Sequence, residues 1–227
     1  MAADYEMSVA GVRVGTIELD LRPADDGAPG RLAVALVLRS DGVARWLAGD
    51  NRTIMNAIVA DGAPDEVRPV RFSVRYRKPD RSRSIDLTYD EAGDLESVDV
   101  RHKGEPRSSR VPDVLQRDTV DPLTALVRVQ AWLREPRAPG DSLRVPVFEG
   151  RKRADLDLRY LERRGDEHRL QASIVGLSGF DEGDSLVTAQ GAPRRWLDVR
   201  TAVGRYALPI VIAEGGGRLR TEIRRTR

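Results

Sequence analysis

The sequence contains no cysteine, which excludes disulfides, thiolate metal sites and a cysteine nucleophile. It has two histidines, His102 and His168, far apart and each flanked by charged residues. A histidine-based zinc site needs more than that, so no metal or other cofactor is expected. Aromatic residues make up 5% of the 227 residues, so Val, Leu and Ile have to fill the core. No apolar run approaches the roughly 20 residues of a membrane-spanning helix. An excess of one charge is also missing: 38 basic residues face 36 acidic ones, and the two signs interleave along the chain. A nucleic-acid binder gathers its basic residues on one face with aromatics among them, so a nucleic-acid partner is not expected. Lysine is scarce; Lys78, Lys103 and Lys152 are the only three, and arginine supplies the rest.

What the chain does have is period-2 alternation. Ile17, Leu19 and Leu21 alternate with Glu18 and Asp20. Val70, Phe72, Val74 and Tyr76 alternate with Arg71, Ser73, Arg75 and Arg77. The same pattern holds in Ile85–Tyr89, Ala154–Tyr160, Leu170–Ile174, Tyr206–Ile212 and Leu219–Ile223. One apolar and one wet face per segment is the mark of antiparallel sheet with one side in solvent. Turn-forming clusters at 90–94, 163–167 and 214–217 link neighbouring segments as hairpins. At Gly15 the apolar face shifts from Val12 and Val14 to Ile17 and Leu19, which predicts a bulge. Leu32–Leu38 is apolar on both faces and predicts a strand covered on both sides. Its cover would be a helical turn over 42–47 carrying Trp46, or the one clear helix.

That helix starts at Asp121, a good N-cap, followed by Pro122 at the first helical position. From Leu123 to Leu133 the apolar residues cover more than half the circumference, leaving Thr124, Arg128 and Glu135 as a narrow polar stripe. A helix this apolar is buried, with Leu126 and Leu133 deep. Segments 23–30 and 101–120 read as flexible. The strands on both sides of the second share one pattern, so residues 1–227 are expected to form a single domain. The expected fold is mainly β: about a dozen strands in a strongly curved antiparallel sheet, or half-open barrel, wrapped around one buried helix.

Catalytic patterns are weak. Gly176–Phe180 lacks the glycine spacing and strand–elbow–helix context of a nucleophile elbow. The glycines at 215–217 lack the ending of a phosphate loop. Asp181–Ser185 has oxygen ligands but not the spacing of a calcium loop. Asp155 and Asp157 share one strand face and are the candidate acid–base pair, although that face is expected to be solvated. The basic runs 151–153 and 224–227 suit phosphates or anionic headgroups, yet each lies at a strand end, where charge keeps edges soluble. The chain is therefore not expected to be an enzyme.

Three stretches, Asp121-Pro122-Leu123-Thr124-Ala125-Leu126, then Val145-Pro146-Val147-Phe148-Glu149-Gly150-Arg151-Lys152-Arg153, and finally Arg205-Tyr206-Ala207-Leu208-Pro209-Ile210, resemble the exported bacterial proteins of domain-of-unknown-function family 3108. Glu149 stands where that family more often has Asp. The resemblance implies a β-rich periplasmic protein akin in shape to lipoprotein carriers, and it implies no catalytic residues. Export is also the expectation from the small residues Ala2 and Ala3 directly before the first strand pattern. The expected function is a non-catalytic cell-envelope protein holding a lipid or lipoprotein acyl chain in an apolar groove, with Leu126, Trp132, Leu133, Phe148 and Trp46 as its lining. An enzyme acting on an envelope polymer through Asp155 and Asp157, and a packed structural protein without a ligand, are the alternatives.

Overall fold

The computed structural model describes all residues except 27, 42–49, 79–80, 181–186, 205 and 215–219, and the backbone alone of Arg81. The strands are β1 (Ala2–Val9), β2 (Val12–Pro23), β3 (Arg31–Ser40), β4 (Arg52–Ala60), β5 (Arg68–Lys78), β6 (Arg81–Tyr89), β7 (Leu95–His102), β8 (Glu105–Arg107), β9 (Ser142–Phe148), β10 (Arg153–Arg164), β11 (Glu167–Ser178), β12 (Val187–Ala189), β13 (Leu197–Ala202), β14 (Pro209–Glu214) and β15 (Thr221–Arg225). Between β8 and β9 lie two helices, α1 (Asp113–Gln116) and α2 (Pro122–Arg134). All strands belong to one sheet, in the order β8-β7-β6-β5-β4-β3-β2-β1-β15-β14-β13-β11-β10-β9, with β12 beside β11. The first eight strands form a meander. The chain then crosses through the helices to the opposite edge, and β15 returns to pair with β1. Every described pairing between these strands is antiparallel except β11–β12.

Alternation decides the faces. Leu21, Val34, Ala57, Phe72 and Leu87 are opposite one another across β2 to β6, and all are buried. Each large apolar side chain in such a row contributes about 1.5–3 kcal/mol. On the other face Arg75 pairs with Asp86 at 2.8 Å across the β5–β6 register. The bulge lies at Gly15 as the pattern predicts: Met7 faces Gly15 but Ser8 faces Arg13, so Val14 is the extra residue.

Two expectations need correction. β3 is not covered on both sides: Leu32 and Val34 are buried, while Ala33, Ala35 and Val37 on the opposite face stay half-buried. Their small size leaves that face shallow between longer neighbours such as Glu18 and Asp20. Segment 101–120 is not a flexible linker. It carries the end of β7, β8 and α1, and it buries Val111, Gln116, Thr119 and Val120.

Helix α2 starts where Asp121 and Pro122 predict. The Asp121 carboxylate accepts from the amides of Leu123 and Thr124 at 2.9 and 3.0 Å. The predicted polar stripe is largely internal. Thr124 is fully buried and donates to Asp121 at 2.5 Å. Arg128 is half-buried and donates to the Val67 carbonyl at 2.9 Å. Leu123, Val127 and Ala131 join the core of β1–β7, whereas Val129, Trp132 and Leu133 join a second cluster with β10, β11 and β13.

The sheet curls but does not close. β8 and β9 are its ends, and among the described residues no ladder joins them. The β9 edge is covered instead by a parallel bridge from Val120 to Val147. The turn after β9 reaches back to the concave side of β5 and β6. Gly150, at φ +98°, lies so close to Ile85 that a Cβ there would sit 2.3 Å from its Cγ2. Both the left-handed backbone and the close approach require glycine.

Candidate functional site

The expected groove residues separate in the fold. Phe148 is fully buried in the first cluster and Leu126 is half-buried against it, so Leu126 is shallower than its helical position predicts. Trp132 and Leu133 are buried in the second cluster, where Trp132 stacks edge-on to Tyr160 with ring centroids 6.4 Å apart. Leu133 also borders a recess of about 540 Å³ with Pro136, Tyr160 and His168. Trp46, and the helical turn expected around it, lie outside the described residues.

The turn 149–151 places a polar cluster against β5 and β6. Phe148 anchors it, and the Tyr76 hydroxyl of β5 donates to Glu149 Oε2 at 2.5 Å. Burial, and then the adjacent Glu149 carboxylate, lift the Tyr76 phenol well above its ordinary value, so it stays protonated as the donor. Burial raises the Glu149 carboxyl, while the bond from Tyr76 and the charges of Lys152, Arg83 and Arg151 oppose that rise. Arg83 follows from the same register: it lies opposite Tyr76 on one side and His102 on the other. Beyond it opens a recess of about 670 Å³ lined by Arg83, Val100, His102, Lys103, Arg107, Ser108, Arg110 and Arg151. Lys103 and Gly104 form the tight β7–β8 turn, both with positive φ. Val100 faces Arg107 across that hairpin.

A comparison with protein-family models matches residues 4–166 to the family described as protein of unknown function (DUF3108). The chain belongs to the DUF3108 family. The matched span holds the segment from Asp121 and the Phe148–Arg153 turn, but not the Leu208-Pro209 stretch. No curated protein matches the sequence. Among solved structures the chain is similar to a β-barrel-like protein of domain of unknown function DUF1849 from Brucella abortus. That likeness has a TM-score of 0.56 at 8% identity and covers 100% of this chain and 95% of the other. It establishes a shared fold.

In this DUF3108 protein the Phe148–Arg153 segment has a defined structural task. Phe148 fills the core, Glu149 ties the turn to β5, and Gly150 passes over Ile85. Arg153, expected to be a solvated charge at a strand end, is instead buried: it donates to the Leu115 carbonyl of α1 at 3.1 Å and pairs with Asp155 at 2.8 Å. Lys152 lies over the Phe180 ring at 5.0 Å.

The carboxylate pair is also placed differently from the expected solvated face. Asp157 is buried, with Arg144 and Arg194 each 2.6 Å away. Asp155 is held by Arg153. Each acid is thus committed to its own arginine partners instead of sharing a proton. His168 is buried, 3.3 Å from the Tyr160 hydroxyl through Nδ1. Among the described residues no group of three or more His, Asp or Glu is arranged to hold a metal ion, and no helix is long and apolar enough to cross a membrane. Sequence reasoning missed the recess. Its signal was the density of basic residues between 101 and 110, in a segment that reads as flexible.

Proposed function

We propose that the protein is a non-catalytic, exported cell-envelope protein that holds a lipid or acyl chain on the concave face of its sheet. One observation carries this reading. The apolar lining of the concave face continues from fully buried rows to half-buried residues, among them Ile17, Leu36, Met55, Leu126, Tyr206 and Ile223, all packed on the core. Apolar surface graded in this way from core to solvent suits a chain-like ligand. A further support is Gln130, fully buried on the Leu123–Leu126 side of α2, with neither amide atom hydrogen-bonded among the described residues. A polar ligand group would satisfy it. Catalysis is no part of this reading, because Asp155 and Asp157 are each engaged by arginine.

A packed structural role is favoured at three positions, since Phe148, Trp132 and Leu133 are each 5% exposed or less. They serve here as walls, with Leu126 as the contact. Native mass spectrometry after gentle purification, together with titration of the fluorescent fatty acid cis-parinaric acid, tests the reading. A lipid-sized mass adduct and saturable fluorescence, both reduced in Leu126→Ala, are the expected outcome. No adduct and no fluorescence would establish the packed alternative. Fusion of the native gene to alkaline phosphatase, which is active only after export, tests the compartment.

A further inference from the structure

We propose that the outward face of β3 and β4 docks a second copy of this chain, related to the first by a two-fold axis along the strands. This surface is on the side of the sheet away from α2 and is independent of a lipid on the concave side. On β2, β5 and β6 the outward positions are polar, as a solvated antiparallel face requires. They are Thr16, Glu18, Asp20 and Arg22 on β2, Arg71, Ser73 and Arg75 on β5, and Ser84, Asp86 and Thr88 on β6. The two strands between break that pattern. Ala33 faces Ile58 across the register and Val37 faces Ile54, with Ala35 and Asn56 between them. These five apolar residues are half-buried. A contiguous apolar strip with a polar rim marks an interaction surface.

Charge selects the occupant. Toward β1 and β2 a recess of about 600 Å³ has Ala35 and Val37 in its floor, and its charged lining is Asp4, Glu6, Glu18, Asp20, Arg13 and Arg227. Toward β5 a second recess of about 450 Å³ has Ala33, Ala35 and Ile58 in its floor, and its charged lining is Arg22, Arg71 and Asp86. The first holds four acids to two arginines, the second two arginines to one acid. Glu18 already pairs with Arg39, and Arg75 with Asp86, so the contrast is between flanks and does not depend on free charges. A two-fold axis along the strands exchanges the flanks. Each acidic flank then lies over the basic flank of the other copy, and Ala33 and Val37 meet the isoleucines. An axis across the strands would set acid on acid. The face is therefore self-complementary in one orientation, as an isologous interface requires. Because the sheet curls away on both sides of the strip, the long side chains Glu18, Arg71 and Arg75 span the flanks, while the small Ala33 and Ala35 leave room for isoleucine.

Sedimentation equilibrium of the full chain over a range of concentrations tests this, with each variant's fold checked by circular dichroism. The expected result is a monomer–dimer equilibrium that weakens with added salt. Ile58→Lys places a charge in the strip and should weaken the dimer at least about tenfold. Glu18→Arg/Asp20→Arg and Arg71→Glu/Arg75→Glu should each do the same alone. Mixing those two variants should restore association as a heterodimer, because each supplies the charge that the other has lost. Arg159→Glu/Arg164→Glu, at exposed positions of β10, should leave association unchanged. A monomer at every concentration overturns the proposal. So does a dimer that survives Ile58→Lys, or a mixture of the two folded charge-reversed variants that stays monomeric.

Discussion

On one side of α2, Leu123, Val127 and Ala131 meet Phe148 and the inward rows of β1–β7; on the other, Val129, Trp132 and Leu133 meet Leu158, Tyr160 and Leu170. The second side is small and closed by aromatic contacts: Trp132 against Tyr160, and Tyr160 against His168 with centroids 5.8 Å apart. Three half-buried hydrophobics, Leu143, Leu156 and Ile212, fringe it. The first side is larger and grades outward through many more, from Ile17 to Ile223. The same helix is therefore anchored through one face and presents the other to a surface that continues toward solvent. Close packing and the proposed ligand contact fall on different faces.

The largest expected effects test the anchored residues. Truncating a fully buried Phe costs roughly 3–5 kcal/mol, and a buried Leu roughly 2–5. Phe148→Ala should therefore lower the denaturant midpoint most, with Leu133→Ala next and without effect on cis-parinaric acid affinity. Leu126→Ala should cost clearly less than Leu133→Ala, because Leu126 is only half-buried. If the two leucine variants are equally destabilised, the distinction between the faces fails.

Gln130→Met sharpens the same comparison. A buried amide without partners costs about 1–3 kcal/mol, so the free protein should become more stable by an amount of that order while losing lipid occupancy. Destabilisation in thermal melts would show that the amide is satisfied internally and that this face is closed as well.

The smallest effect concerns His168. Burial, and then the charge of Arg163, lower its pKa below the ordinary 6.5. The unfolded chain then takes up the proton first, so wild-type stability should fall as pH drops below about 6.5, levelling off beneath the folded-state value. His168→Gln should remove that part of the slope, seen in urea midpoints measured between pH 7.5 and 5. An unchanged slope would mean that His168 charges as easily in the fold as in solution.

Much of the architecture was legible because alternation and capping are local. Ile85–Tyr89 announces its buried face, Gly15 its bulge, and Asp121-Pro122 the start of α2, each from a few adjacent residues. What alternation cannot give is which distant strand comes to lie over which. Nothing near Glu149 predicts Tyr76, 73 positions away, and nothing near Arg83 predicts Arg107 or Arg151. Asp157 looked solvated because its neighbours alternate properly, yet Arg194 from beyond β12 covers it. The charge-rich segment 101–110 read as flexible because polarity is shared by loops and by polar sites. Only the curl of the sheet separates those two cases, by bringing the turn after β9 against the hairpin.

The pairing of β1 with β15 has a kinetic side. Thr226 bonds to the Asp4 carbonyl across 222 positions, so the two arcs of the sheet meet at a joint made from opposite ends of the sequence. Joints of such long range form slowly, since the loop between them must be ordered first. The meander β1–β8 can assemble early by local hairpins, but its β1 edge stays bare until β15 arrives. A bare edge invites pairing with other chains. The interval before that last joint forms is thus when the protein is most open to aggregation, and when a chaperone has most to protect.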